Sequence, residues 1–150
     1  MDKNDDRMEN QVSVSTDELF RILKDTKSLD SYYDKTSDIP DVSTPEYLKQ
    51  LLSEHGLSKQ QVIEMANLER SSGFQIFSGQ RNPKRDTVLR IALAMKLSLQ
   101  ETQHLLTIAQ RGELYPRNRR DAAVIYCIHH QLNLIDANIL LEGIGELLLK

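Results

Sequence analysis

Leu57-Ser58-Lys59-Gln60-Gln61-Val62-Ile63-Glu64-Met65-Ala66-Asn67-Leu68-Glu69-Arg70-Ser71-Ser72-Gly73-Phe74-Gln75-Ile76-Phe77-Ser78-Gly79 is the stretch on which the reading of this 150-residue chain turns. Ser58 followed three residues later by Gln61 is a capping-box spacing, so a helix opens there, turning Val62, Met65 and Ala66 inward and stopping near Asn67. Asn tolerates a positive φ better than most residues with a side chain, and a tight turn between two helices needs that conformation at this point. A second helix then runs from about Arg70 to Phe77 and closes at Gly79.

Outward from this pair the helical signals continue. Upstream, Thr44 reads as a cap, Pro45 as the first helical residue, and Leu48, Leu51 and Leu52 as an apolar stripe that Gly56 ends. Downstream, Asp86 reads as the cap of a helix burying Val88, Leu89, Ile91, Ala92 and Met95. Ser98 with Glu101 repeats the capping box for a helix through Leu105, Leu106 and Ile108 that ends near Gly112. Two more apolar helices are expected, over about Arg119–Gln131 and, capped by Asn133, over about Leu134–Leu141. No segment alternates apolar and polar residues at period two, so the fold class predicted is all-α.

Near the start, Ser15 and Glu18 open a short amphipathic helix near 15–26 bearing Leu19, Phe20, Ile22 and Leu23. The first dozen residues are polar and charged and are expected to be disordered. Residues 27–43, rich in Ser and Asp, read as a linker. The domains expected are an acidic arm over 1–43, a five-helix domain over 44–112 and a helical extension over 113–150.

The formal net charge is −3, the wrong sign for a nucleic-acid-binding chain, but the average hides an uneven distribution. Residues 1–44 carry 6 Lys or Arg and 11 Asp or Glu, a net of −5, while within 70–90 Arg70, Arg81, Lys84, Arg85 and Arg90 face only Asp86, a net of +4. The single cysteine, Cys127, excludes an intramolecular disulfide and points to a reducing, cytoplasmic setting. No apolar run approaches the roughly 18–20 residues that would cross a bilayer, so no membrane partner is expected. Cys127, His129 and His130 lie on one helix without further ligands at matching spacing, so Cys127 reads as a small core residue, with no metal and no cofactor expected. No P-loop, nucleophile elbow or glycine-rich phosphate cradle occurs, and the chain does not read as an enzyme.

The Leu57–Val62 segment, Ile76, Gly79 and Pro83, in that spacing, resemble the core of a lambda-repressor-like, Xre-family helix-turn-helix domain over roughly 45–98. The longer run Gly73-Phe74-Gln75-Ile76-Phe77-Ser78-Gly79-Gln80-Arg81-Asn82-Pro83-Lys84-Arg85-Asp86, with Leu114-Tyr115-Pro116 and Arg119-Arg120-Asp121, resembles a subfamily of such regulators in Firmicutes, some encoded beside serine/threonine protein kinases. The resemblance implies a sequence-specific regulator of transcription whose helix 70–78 enters the major groove of double-stranded DNA. It places base contacts on Arg70, Ser71 and Gln75, residue types that suit guanine, either a base edge or a phosphate, and adenine respectively. Phosphate contacts fall on Lys59, Gln60, Ser72, Arg81, Lys84 and Arg85, although Arg85 has Asp86 and Glu101 as alternative partners. Contact with five or six phosphates would give log affinity against log salt a slope on the order of −5.

The chain departs from the family where Ile63, Gly73 and Phe77 replace the usual alanine, β-branched and polar residues. Either Gly73 lets the second helix approach the first while Ile63 and Phe77 refill the volume, or Phe74 belongs to a protein-binding surface, as in an adaptor that keeps the fold without binding DNA. The resemblance to regulators encoded beside protein kinases makes a kinase the kind of partner expected for such an adaptor. The apolar last seventeen residues are read as core or as the seam of a homodimer.

Overall fold

A computed structural model describes residues 15–36 and 42–150, and every regular element among them is a helix. The expected disorder of the first dozen residues, and the part of the expected linker at 37–41, lie outside the described residues. The chain divides at Asp41 into two units.

In the first unit, α1 (Thr16–Asp25) starts where expected, with the Ser15 hydroxyl accepting from the Glu18 N–H at 3.1 Å. It buries no residue, and Phe20 and Leu23 are exposed. The segment read as a linker contains a second helix, α2 (Leu29–Thr36). Ser28 starts it: its hydroxyl accepts from the Ser31 N–H at 3.2 Å and its carbonyl from the Tyr32 N–H. The Ser that suggested a linker is here an N-cap.

The second unit holds α3 (Thr44–His55), α4 (Lys59–Met65), α5 (Arg70–Ser78), α6 (Arg85–Met95), α7 (Leu99–Ile108), α8 (Arg119–His129) and α9 (Leu134–Gly143). The caps at Ser58, Ser98, Asn118 and Asn133 each accept from the N–H three residues on, and at Ser58 and Ser98 the Gln61 and Glu101 side chains reach back to complete capping boxes. Two starts differ from expectation. Ser43, not Thr44, caps α3, so Pro45 sits one residue further in. Asp86 does not cap α6, which begins at Arg85 with no side-chain cap, because the Asp86 carboxylate is taken by Arg120 at 3.0 Å through both oxygens. Helix α7 stops at Ile108, short of Gly112, with Gln110 at φ 59 just beyond it.

The core is laid around α6, whose Val88, Leu89, Ile91, Ala92, Leu93 and Met95 are all buried and which packs on α4, α7, α8 and α9. Helix α3 contributes Tyr47, Leu48, Leu51 and Leu52 and packs on α5 and α7. Val62 and Ala66 enter the core as expected, but Ile63 takes the place expected of Met65, which is 46% exposed. The C-terminal apolar residues divide. Leu134, Ala137, Leu141 and Leu149 join the same core as Val124 and Cys127, while Ile135 and Ile139 are exposed. No helix among the described residues is long and apolar enough to cross a membrane.

Candidate nucleic-acid interface

Helices α4 and α5 are joined by a tight turn built by four residues. The Asn67 and Leu68 N–H groups bond back to Glu64 and Ile63 carbonyls, and Asn67 adopts φ 52, the left-handed conformation its position calls for. Sequence reasoning missed what fixes this turn from outside: Arg90 on α6 donates to the Ala66 carbonyl at 3.0 Å and to the Asn67 carbonyl. An Arg set within the apolar run from Val88 to Met95 was the available signal. Arg90 is therefore a staple of the turn rather than part of a free basic surface.

Helix α5 approaches α4 closely. A Cβ built on Gly73 would lie 2.7 Å from Ile63 Cγ1 and 2.9 Å from Cγ2, distances real Cβ atoms do not show, so Ile63 fills the space that a side chain at 73 would need. Ile63 and Phe77 are both buried beside it. With Gly73, Ile76 and Phe77 facing inward, the rest of α5 faces out. Arg70 and Ser71 are exposed, Gln75 is half-exposed, and Phe74 is 38% exposed. The Arg70 guanidinium lies 5.8 Å from the centre of the Phe74 ring, within cation–π range.

The residues expected on phosphate divide into two groups. Lys59 opens α4 on its exposed side with Gln60 beside it, and Lys84 stands exposed at the N-cap of α6. Neither lysine enters an ion pair among the described residues. Ser72 and Arg81 form a chain: Arg81 donates to the Ser72 hydroxyl at 3.3 Å, which donates to the Glu69 carboxylate at 2.6 Å. The Ser72 hydrogen bond is the chief reason the exposed Glu69 carboxyl is held below the usual range, with the Arg81 charge adding to it. Glu69, at the N-cap of α5, was not anticipated; its spacing from Ser72 is a reversed capping pattern.

Arg85 is built into the fold. Its guanidinium grips Asp121 through both oxygens at 2.9 Å and donates to the carbonyls of Gly112 and Glu113. Four of its five N–H donors are thereby engaged, and neither Asp86 nor Glu101 accepts a hydrogen bond from it. Glu101 pairs instead with His55 at 2.9 Å.

The loop carrying Arg81 and Lys84 is pinned at two points. Asn82 donates to the Ala109 carbonyl and Arg111 to the Pro83 carbonyl, each at 2.9 Å. Gly79 closes α5 at φ 87 against Pro45, whose Cγ would lie 3.1 Å from any added Cβ. The exposed face of α5 is thus held on both sides, with cations before it at Lys59 and after it at Arg81 and Lys84. Cys127 is buried, which pushes its thiol pKa up, and among the described residues no group of three His, Cys, Asp or Glu side chains converges as a metal site would need.

No family model matches the chain, and no significant match is found among curated proteins or solved structures.

Proposed function

We propose that this chain is a sequence-specific, double-stranded DNA-binding regulator of the lambda-repressor-like helix-turn-helix type, with α5 as the helix that enters the major groove. The observation that carries the reading is the exposed face of α5. Arg70, Ser71 and Gln75 point away from the core on a helix whose opposite face is fixed by Gly73, Ile76 and Phe77. Those three side chains match the hydrogen-bonding edges of bases, and a major groove about 12 Å wide admits one helix. The phosphate set is Lys59, Arg81 and Lys84 as charges, with Gln60 as a neutral donor; Ser72 leaves it because its one hydroxyl proton goes to Glu69. Arg85 leaves that set, since withdrawing it from Asp121 would abandon a carboxylate whose side chain is only 9% exposed.

Selection from a random-core duplex library with the full-length protein tests the reading. The expected result is one enriched motif, with Arg70→Ala relaxing the preference at a single guanine by about 1–3 kcal/mol of discrimination. Enrichment of no motif, or one that Arg70→Ala leaves intact at every position, would overturn it. An adaptor on the same scaffold is the reading that exposure of Phe74 favours, and it predicts a bound protein lost on Phe74→Ala but not on Arg70→Ala.

A further inference from the structure

Phe74 stands among the residues assigned to base edges and has no hydrogen-bonding chemistry of its own. Residues four apart on a helix share a row, so Arg70, Phe74 and Ser78 form one outward row and Ser71 and Gln75 the next. Phe74 lies on the side of α5 nearest α4, where its ring, Ile63 and Leu68 wall a shallow pocket of about 100 Å³ rimmed by Gln60, Glu64 and Arg70. The Arg70 guanidinium rests over the same ring at 5.8 Å, and no carboxylate pairs with it among the described residues. The Phe74 ring, left 38% exposed between polar neighbours, offers a contact for an apolar group of small size. A pocket of that size offers only a small part of the roughly 800 Å² per partner that a stable protein interface buries. In the major groove the apolar group that a base edge offers is the C5-methyl of thymine.

We propose that Arg70 and Phe74 form one reading unit for a guanine beside a thymine, with Arg70 donating to guanine O6 and N7 while the Phe74 ring and the pocket wall receive the thymine methyl. The inference rests on the DNA-reading role of α5 and adds to it the base that Phe74 selects. The cation–π contact keeps the guanidinium beside the ring, so that the two side chains meet neighbouring base pairs together.

The test uses the duplex enriched by the full-length protein, resynthesised with deoxyuridine replacing each thymidine in turn, a change that removes the methyl and keeps every hydrogen-bonding group. Fluorescence anisotropy should show binding about fourfold weaker at one position, next to a guanine, as expected for losing one buried methyl-sized contact. Phe74→Ala should bind the thymine and uracil duplexes equally, and Phe74→Leu should keep part of the difference. Melting followed by circular dichroism verifies that each variant folds, and if Phe74→Ala does not, the uracil series on the unmodified protein and on Phe74→Leu carries the test. Uracil neutral at every position, or a methyl preference that survives Phe74→Ala, would overturn the assignment of Phe74 while leaving the DNA-reading role intact. A bound protein lost on Phe74→Ala, with the uracil series flat, would overturn it in favour of a protein contact. A library that enriches no sequence would overturn the role of α5 and this inference together.

Discussion

Gly73 and Ile63 make one steric unit, because the Ile63 side chain occupies the volume in which a Cβ at 73 would lie. Gly73→Ala gains about 0.5–1 kcal/mol in helix propensity but overpacks the contact at about 1–3 kcal/mol, so a net loss of about 1 kcal/mol is expected. Ile63→Ala alone should cost about 2–5 kcal/mol through the cavity it leaves. Combined, the two changes should be less harmful than their sum by at least about 0.5 kcal/mol, since the new Cβ enters the vacated space; urea unfolding of the four proteins measures this, and additivity would contradict it. The glycine was legible in the sequence as an anomaly, and the Ile63 contact supports the account in which it lets α5 approach α4, while Phe74 stays exposed. Which neighbour fills the space depends on how closely α4 and α5 approach, a distance that no local pattern encodes.

At the scale of elements, the starts written into short spacings were the most legible features. Ser58 with Gln61 and Ser98 with Glu101 put a hydroxyl and a side-chain acceptor three residues apart, and both capping boxes form. Helix α2 escaped notice because a Ser-rich, Asp-rich stretch reads equally as linker or as a capped helix. The α4–α5 turn was legible at Asn67 but not at Arg90, which reaches it from more than twenty residues away. Arg90→Ala should leave the Ala66 and Asn67 carbonyls without their donor and lower stability by about 1–3 kcal/mol, read as a shift in urea midpoint. Amides at 66–69 should exchange faster in that variant, and DNA affinity should fall although Arg90 touches no base. Unchanged exchange across the turn would show that Arg90 does not hold it.

At the scale of the second unit, two Arg-Asp dipeptides cross-pair. Arg85 on α6 takes Asp121 on α8, and Arg120 on α8 takes Asp86 on α6. Arg120 also donates to the carbonyls of Leu147 and Leu148, and the Lys150 N–H reaches Asp86, so the same crossing straps the C-terminal residues down. Both dipeptides were visible in the sequence, but a separation of some 35 residues hid their pairing, and Arg85 was read as a phosphate ligand for that reason. Burial by itself would raise the Asp86 and Asp121 carboxyls; hydrogen bonds and charge from Arg120 and Arg85 outweigh it and hold both below the usual range. Glu101 is lowered in the same way, burial opposing and His55 prevailing. Groups whose folded pKa is depressed stabilise the protein above their unfolded pKa and lose that contribution as pH falls through the folded value, so stability should drop below about pH 4. Asp86→Asn and Asp121→Asn should be less stable at neutral pH and should flatten that acid limb, as measured by urea midpoints across pH. An unchanged acid limb would show that these carboxyls do not supply it.

The central claim, that Lys59, Arg81 and Lys84 flank a DNA-reading α5, is tested most directly by the salt dependence of binding. Anisotropy of the full-length protein on its enriched duplex should give log affinity against log salt a slope of about −3 per bound chain, from ~0.9 per neutralised phosphate and the three flanking cations rather than five or six contacts. Lys59→Ala and Lys84→Ala should each make the slope shallower by about 1. A flat response, or a slope that neither substitution changes, would contradict the account.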